Sequence, residues 1–325
     1  MHKKQLAHLP VTIIMLLPVA ILLVGLSICF KKGGFDTAKI QSNLPFNDYW
    51  EIEPLSDAQK EWLSKKVLSQ EYYYLGADRY CYVFSSQDQE YVIRFFKKNG
   101  WSPKGWLQEH PLTFLRYFGY PSHTDSPYLS EHLFTNYKEV YETFRHETDL
   151  IYLHLNKHRE FREPLIVVDT SGLKHPVDLN RVEFVVQRKG EPIFEKLATL
   201  AMQKEERKFR EAVRSFFSLI AISCEKGFAS QHTLLENQFG FVEDRAIYFD
   251  CSKLCRDVSM KSPFNTREEL IRAADQLNAW IMDLYPHLSL IVQEEAIRVI
   301  DQSFEAKEHV AQSKGASFRL LQKAP

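Results

Sequence analysis

Two residues in the last third of the chain have the side chains and the spacing to hold a divalent cation. Asn237 and Asp250 stand 13 residues apart in the segment GFASQHTLLENQFGFVEDRAIYFDCSKL, Gly227 to Leu254. Phe239 to Val242 and Ala246 to Phe249 are expected as short strands, with Glu243-Asp244-Arg245 as the turn between them. A hairpin brings its two ends together, so an amide before it and a carboxylate after it can converge. The pair offers the oxygen ligands that Mg2+ takes alongside phosphate oxygens and water. Turn capping is the competing role for both residues. His232 precedes Asn237 by five positions, in Ser230-Gln231-His232.

A second pair of charges comes from the first half. Arg94 lies in Tyr91-Val92-Ile93-Arg94-Phe95-Phe96, a run that places a cation inside an apolar strand. If Arg94 shares a face with Val92, its guanidinium needs a partner; otherwise it faces water on an exposed sheet. A helix expected from about Thr135 to His158 carries apolar residues at Tyr137, Val140, Phe144, Ile151 and Leu155. On its wheel Glu147 falls about 20° from Val140 and about 40° from Ile151, inside the apolar stripe. A carboxylate there is costly without a cation, so an Arg94–Glu147 pair is expected.

The elements that must position these groups follow in a simple order. Three strands, Tyr72 to Leu75, Tyr80 to Ser85 and Tyr91 to Phe96, are separated by turn-forming stretches and make an antiparallel meander. Lys97 to Glu131 interleaves aromatic and basic residues; packing on the sheet is the expectation, and membrane or partner binding the alternative. After the long helix come strands at Pro164 to Val168 and Val182 to Gln187, then the turn-rich connector Arg188 to Pro192. Helices follow at Leu200 to Lys226, Thr266 to Tyr285 and Leu288 to Phe304, the last two flanking Pro286. The expected class is α+β, a strand lobe first and a helical lobe second. The expected boundaries are a strand lobe over 71–187 with the insertion at 97–131, a helical lobe over 188–307 and a polar tail over 308–325.

On these residues the chain resembles the protein-kinase-like superfamily, whose members carry H-R-D-x-x-x-x-N, a hairpin and D-F-G. The resemblance covers roughly Tyr72 to Leu254 and implies a two-lobed fold with Mg2+·ATP bound in the cleft. It implies Asn237 and Asp250 as metal ligands, Arg94 at the V-A-I-K lysine, Glu147 as its helix partner, Gly76 as the remnant of the Gly-rich loop, and Arg188 to Pro192 as the hinge. The departures are chemical. His232 stands where the family has its catalytic Asp, and an imidazole cannot replace the carboxylate that accepts the substrate proton. Arg for Lys exchanges a compact ammonium for a planar fork. The loop Leu75-Gly76-Ala77-Asp78 adds an acid where phosphates would lie, and D-F-G has become Asp250-Cys251-Ser252. The expected function is a binding or regulatory module with impaired catalysis, a pseudokinase. Its alternatives are an active atypical kinase and a nucleotide-free interaction protein. The overall pattern also resembles membrane proteins of intracellular bacteria.

Composition narrows the classes further. The 325 residues carry 41 Lys+Arg and 42 Asp+Glu, a net charge of −1 that leaves no footprint for nucleic acid. With 12 Gly and no G-x-x-x-x-G-K-[ST], a glycine-rich phosphate cradle is not expected. Five Cys, at 29, 81, 224, 251 and 255, are odd in number and scattered, which argues against a disulfide framework. Leu9 to Phe30 is an uncharged run of 22 residues, long enough as a helix to cross a bilayer. It is expected to be an uncleaved single-pass anchor, with a cleaved signal and a lipoprotein signal as alternatives. Lysines at 3 and 4 before it and at 31, 32 and 39 after it nearly balance, so orientation stays open, with the cytosolic side slightly favoured for the body. Residues 31–70 are expected to form a polar tether and then a helix capped by Ser56, and the partner expected for the whole is a protein.

Overall fold

Aromatic and β-branched residues dominate the three runs that open the body, and all three are strands. They are β1 (Tyr72–Ala77), β2 (Cys81–Ser86) and β3 (Tyr91–Phe96). The computed structural model describes residues 35–41, 44–78, 80–97, 127–230, 235 and 238–304. Within them β4 (Leu150–His154), β5 (Leu165–Val168), β6 (Lys174–Val177) and β7 (Phe184–Arg188) join the meander. The resulting seven-stranded sheet has the order β4-β7-β3-β2-β1-β5-β6. Only the β1–β5 pairing is parallel, so the sheet is mixed. At its rim β6 sets Pro176 opposite Ile166.

β3 lies in the middle and is buried along its whole length, which follows from cover on both faces. Tyr91, Ile93 and Phe95 join a cluster with Phe35, Ile40, Leu63 and Val67 from the N-terminal segment. The alternate residue Phe96 joins the cluster of the long helix and the C-terminal half. The stretch expected as a polar tether is therefore part of the core. Phe35 sets its ring edge-on to Tyr82 and Phe84 at 5.4 and 4.8 Å, and Trp50 meets Phe134 at 5.1 Å. Ser56 caps the helix α1 (Asp57–Trp62) in a reciprocal box with Gln59, as its position suggests.

The long helix α2 (Pro127–Thr148) ends earlier than its apolar spacing implies. Asp149 turns the chain at φ +50°, and Leu150–His154 pair with β7. Ile151 and Leu155 fit a helical stripe, yet Leu150-Ile151-Tyr152-Leu153 is also a strand-forming run, and the free edge of β7 settles the competition. A similar correction applies to Leu200–Lys226. It is divided between α3 (Ile193–Met202) and α4 (Glu206–Lys226), with Lys204 at φ +57° between them.

The C-terminal half packs α4 against the hairpin β10 (Phe239–Val242) and β11 (Arg245–Tyr248) and against α5 (Pro263–Leu284). Two short strands precede the hairpin, β8 (Glu191–Pro192), which pairs with β10, and β9 (Phe228–Ser230). β12 (Leu254–Arg256) pairs with β9. A last helix, α6, spans 289–304. No helix of the described residues is long and apolar enough to cross a membrane; the run 9–30 lies outside them. Most of the aromatic insertion also lies outside, as does the tail beyond 304. Among the described residues, Cys81, Cys224, Cys251 and Cys255 form no disulfide.

One buried carboxylate fastens α6 to α4. Glu295 is fully buried and takes Arg214 through two bonds of 2.7 and 3.1 Å and Arg210 through one of 3.1 Å. Burial alone would raise its pKa, but the bonds from Arg214 and Arg210 outweigh it and hold the carboxyl below its ordinary 4.5. A depressed folded pKa gives stability that is complete above the unfolded value and lost as pH falls through the folded one. Both arginines are partly exposed, so we expect Glu295→Gln to cost about 1–2 kcal/mol at neutral pH. The deficit should shrink as pH falls below the unfolded carboxyl value and through the lower folded one, measured by urea unfolding at neutral pH and across the acid range.

Candidate functional site

The segment after β11 is held from three directions at once. Gln187 of β7 donates from Nε2 to the Tyr248 carbonyl at 2.9 Å and to the Thr148 carbonyl at 2.5 Å. Arg94 of β3 donates from Nη2 to the Phe249 carbonyl at 2.6 Å, and Asn136 of α2 from Nδ2 to the Cys251 carbonyl at 3.3 Å. Sheet, helix and hairpin thus converge on residues 248–251. Asp250 projects there, 8% exposed, next to the strand that carries Arg94. Tyr248 is tied down further by its phenol oxygen, which meets Ser223 Oγ at 2.9 Å.

Arg94 is also 8% exposed and stands between Val83 of β2 and Val185 of β7. Its Nη1 lies 3.7 Å from Asp78 Oδ2. Burial works against its charge, while the Asp250 and Asp78 carboxylates favour it, and the guanidinium stays protonated. Tyr137, on the face of α2 turned to the sheet, packs its ring on Phe96 at 5.1 Å, and burial pushes its own pKa well up. The helix therefore sets a neutral phenol, not a carboxylate, beside the cation.

Asp78 ties the β1–β2 turn together. Its Oδ1 accepts from the backbone N–H groups of Tyr80 and Cys81, both at 2.6 Å, while its carbonyl accepts from Lys97. Gly76 sits within β1, just past a bulge, opposite Val83. A Cβ at Gly76 would meet nothing within 4 Å, so packing does not demand a glycine there. Asp250 has local bonds as well. Its Oδ1 accepts from Ser252 N at 3.1 Å and Ser252 Oγ at 2.6 Å, capping the turn Cys251–Lys253, and Oδ2 lies 3.5 Å from Lys253 Nζ.

Of the residues expected at a site, Arg94 and Asp250 come together. Glu147 does not join them. It occupies the last turn of α2 and binds Lys226 Nζ at 2.9 Å, so the expected pair with Arg94 is replaced by pairs with Lys226 and Asp78. The helix is broken between the two: Phe144 departs from helical geometry at φ −125°, ψ 24°, so the ideal wheel does not carry from Tyr137, which packs on β3, to Glu147. Asn237 and His232 lie outside the described residues. Sequence reasoning missed Gln187, Asn136 and Tyr137. The amide of Gln187, next to Val185-Val186 in an apolar strand, was the one available signal.

No family model matches the chain, and no curated protein does. Among solved structures it is similar to the one described as the co-crystal structure of WbdD and the kinase inhibitor LY294002. The two share 13% identity at a TM-score of 0.31, over 70% of this chain and 44% of that one. The chain thus spans less than half the length of that structure, and a likeness at this level carries no functional inference.

Two measurements check the site. A double-mutant cycle on Glu147 and Lys226 should give a coupling of about 0.5–1 kcal/mol, while one on Arg94 and Glu147 should give about zero. Gln187→Leu leaves two buried carbonyls without their donor, so its unfolding free energy should fall by about 2–3 kcal/mol. A loss below about 0.5 kcal/mol would show that the bridge does not hold the segment.

Proposed function

We propose that the chain is a kinase-like binding and regulatory module with impaired phosphoryl transfer, tethered to a membrane by the run 9–30. The α+β order of meander, long helix, further strands, connector and helical half is compatible with such a fold. The observation that carries the proposal is the engagement of Arg94 by its own chain. This guanidinium gives one bond, from Nη2 to the Phe249 carbonyl, and lies near the Asp78 and Asp250 carboxylates, which compete with nucleotide phosphates for its charge; its Nε has no hydrogen-bond partner among the described residues.

Mg2+·ATP is the ligand that the resemblance implies, with Gly76, Arg94, Asp250 and Asn237 as its holders. Two charges near the described members of this set oppose it. Lys253 Nζ lies 3.5 Å from Asp250 Oδ2 and competes with a metal ion for that carboxylate, and Asp78 adds negative charge 3.7 Å from Arg94. Among the described residues no three His, Cys, Asp or Glu side chains gather as metal ligands. What remains is a rigid, charge-balanced surface between two lobes, suited to a protein partner on the cytosolic side.

The test is turnover and binding by the full chain with Mg2+·ATP. The expected result is no ADP release above background, with or without Asp250→Ala. Turnover that Asp250→Ala abolishes would overturn the proposal and establish an active atypical kinase. Thermal unfolding in the same samples reads binding separately. Saturation near 100 Kd would add about 2.7 kcal/mol of stability, and loss of that gain in Asp250→Ala and Asn237→Ala would place the nucleotide in the cleft.

A further inference from the structure

Away from the cleft, a cavity of about 290 Å3 opens between residues 50–55, the turn after α1 and the end of β4. Trp50, Leu63 and Phe161 give it apolar walls. The carboxylates of Glu51, Glu53 and Glu160 line it as well, against the ammonium of Lys60 among the described lining residues. An acidic lining alone would say little, since exposed carboxylates are common.

His154 adds an independent feature. It lines the same cavity, is 2% exposed, and its Nε2 has no hydrogen-bond partner. Its Nδ1 lies 3.3 Å from Tyr152 Oη, and that hydroxyl donates its one proton to Glu160 Oε2 at 3.0 Å. Tyr152 therefore turns a lone pair toward Nδ1, which must carry the ring proton, and Nε2 is left as an acceptor. Burial, helped by His158, pushes the imidazole down to about 4, so the ring is neutral at physiological pH. A buried acceptor with an unused lone pair calls for a donor.

The chemistry of that donor is narrowed by its surroundings. An anion would meet three carboxylates. A metal ion would need several such ligands gathered at one point, and among the described residues no three His, Cys, Asp or Glu side chains are so placed. A protonated amine satisfies both features, giving N–H donors to the lone pair and positive charge to the acids. We propose that this cavity binds a small organic ammonium with an apolar body, balanced by Glu51 and Glu160, and that His154 Nε2, closed to solvent in the free protein, turns outward to accept from one of its N–H groups on binding. The site is separate from the cleft and does not depend on the proposed function.

Phenethylammonium and its neutral counterpart phenethyl alcohol test this on the full chain, by calorimetric titration together with the histidine 15N spectrum. Phenethylammonium should bind and move the His154 Nε2 resonance, and the alcohol should bind about ten-fold more weakly or not at all. Glu160→Gln keeps the shape of an exposed side chain and should weaken the ammonium by about ten-fold. Ser64→Trp, a surface change at the lining, should block it while leaving the unfolding curve unchanged. Equal affinity for the two probes, no binding up to about 10 mM, or binding that survives Ser64→Trp would overturn the proposal.

Discussion

Three backbone carbonyls, those of Tyr248, Phe249 and Cys251, hold the molecule's two halves in register. Each accepts from a side chain on a different element: β7, β3 and α2. A carbonyl in such a place has no strand partner to satisfy it, so without these donors the segment would carry buried unpaired oxygens. Gln187 makes the arrangement stricter, because the same amide also takes the carbonyl at the end of α2. Displacing the helix, the central strand or the hairpin would break bonds belonging to the other two. Asp250 owes its position to this geometry more than to the turn it caps.

The charges at this junction nearly cancel. Arg94 is met by Asp78 and Asp250, and each of those acids has an ammonium close by, Lys97 at the Asp78 backbone and Lys253 at the Asp250 carboxylate. Such a network favours one arrangement of the lobes, because opening the cleft would expose partners that are otherwise matched. Binding an anion there would require the same groups to be rearranged first.

Much of the sheet was legible in the residues, and the reasons are local. β1, β2 and β3 are short aromatic or β-branched runs between clear turn formers, and the hairpin around Glu243–Arg245 has the same form. The helix boundary was not legible, because Ile151 and Leu155 satisfy a helical and an extended pattern alike and only the edge of β7 decides between them. Glu147 was misplaced because the helix is kinked at Phe144, three residues before it, so its ideal wheel position in the apolar stripe does not hold and its partner is Lys226. Burial of Phe35, Ile40 and Trp50 was hidden by their wide spacing among polar residues. The roles of Gln187 and Asn136 depend on contacts across 61 and 115 positions, which no local pattern encodes. Asn237 and His232 remain expectations from the sequence.

Pro176 at the outer rim of the sheet has a consequence for how these molecules behave in company. The last strand offers no amide hydrogen at that point and begins with a lysine, so an approaching extended chain finds a gap in the ladder and a charge beside it. Crowded copies would thus meet through side chains at their surfaces, and sheets would not zip together along that border. The two strands beyond β1 set this border away from the segment bearing Gly76 and place on it a proline with no hydrogen to give.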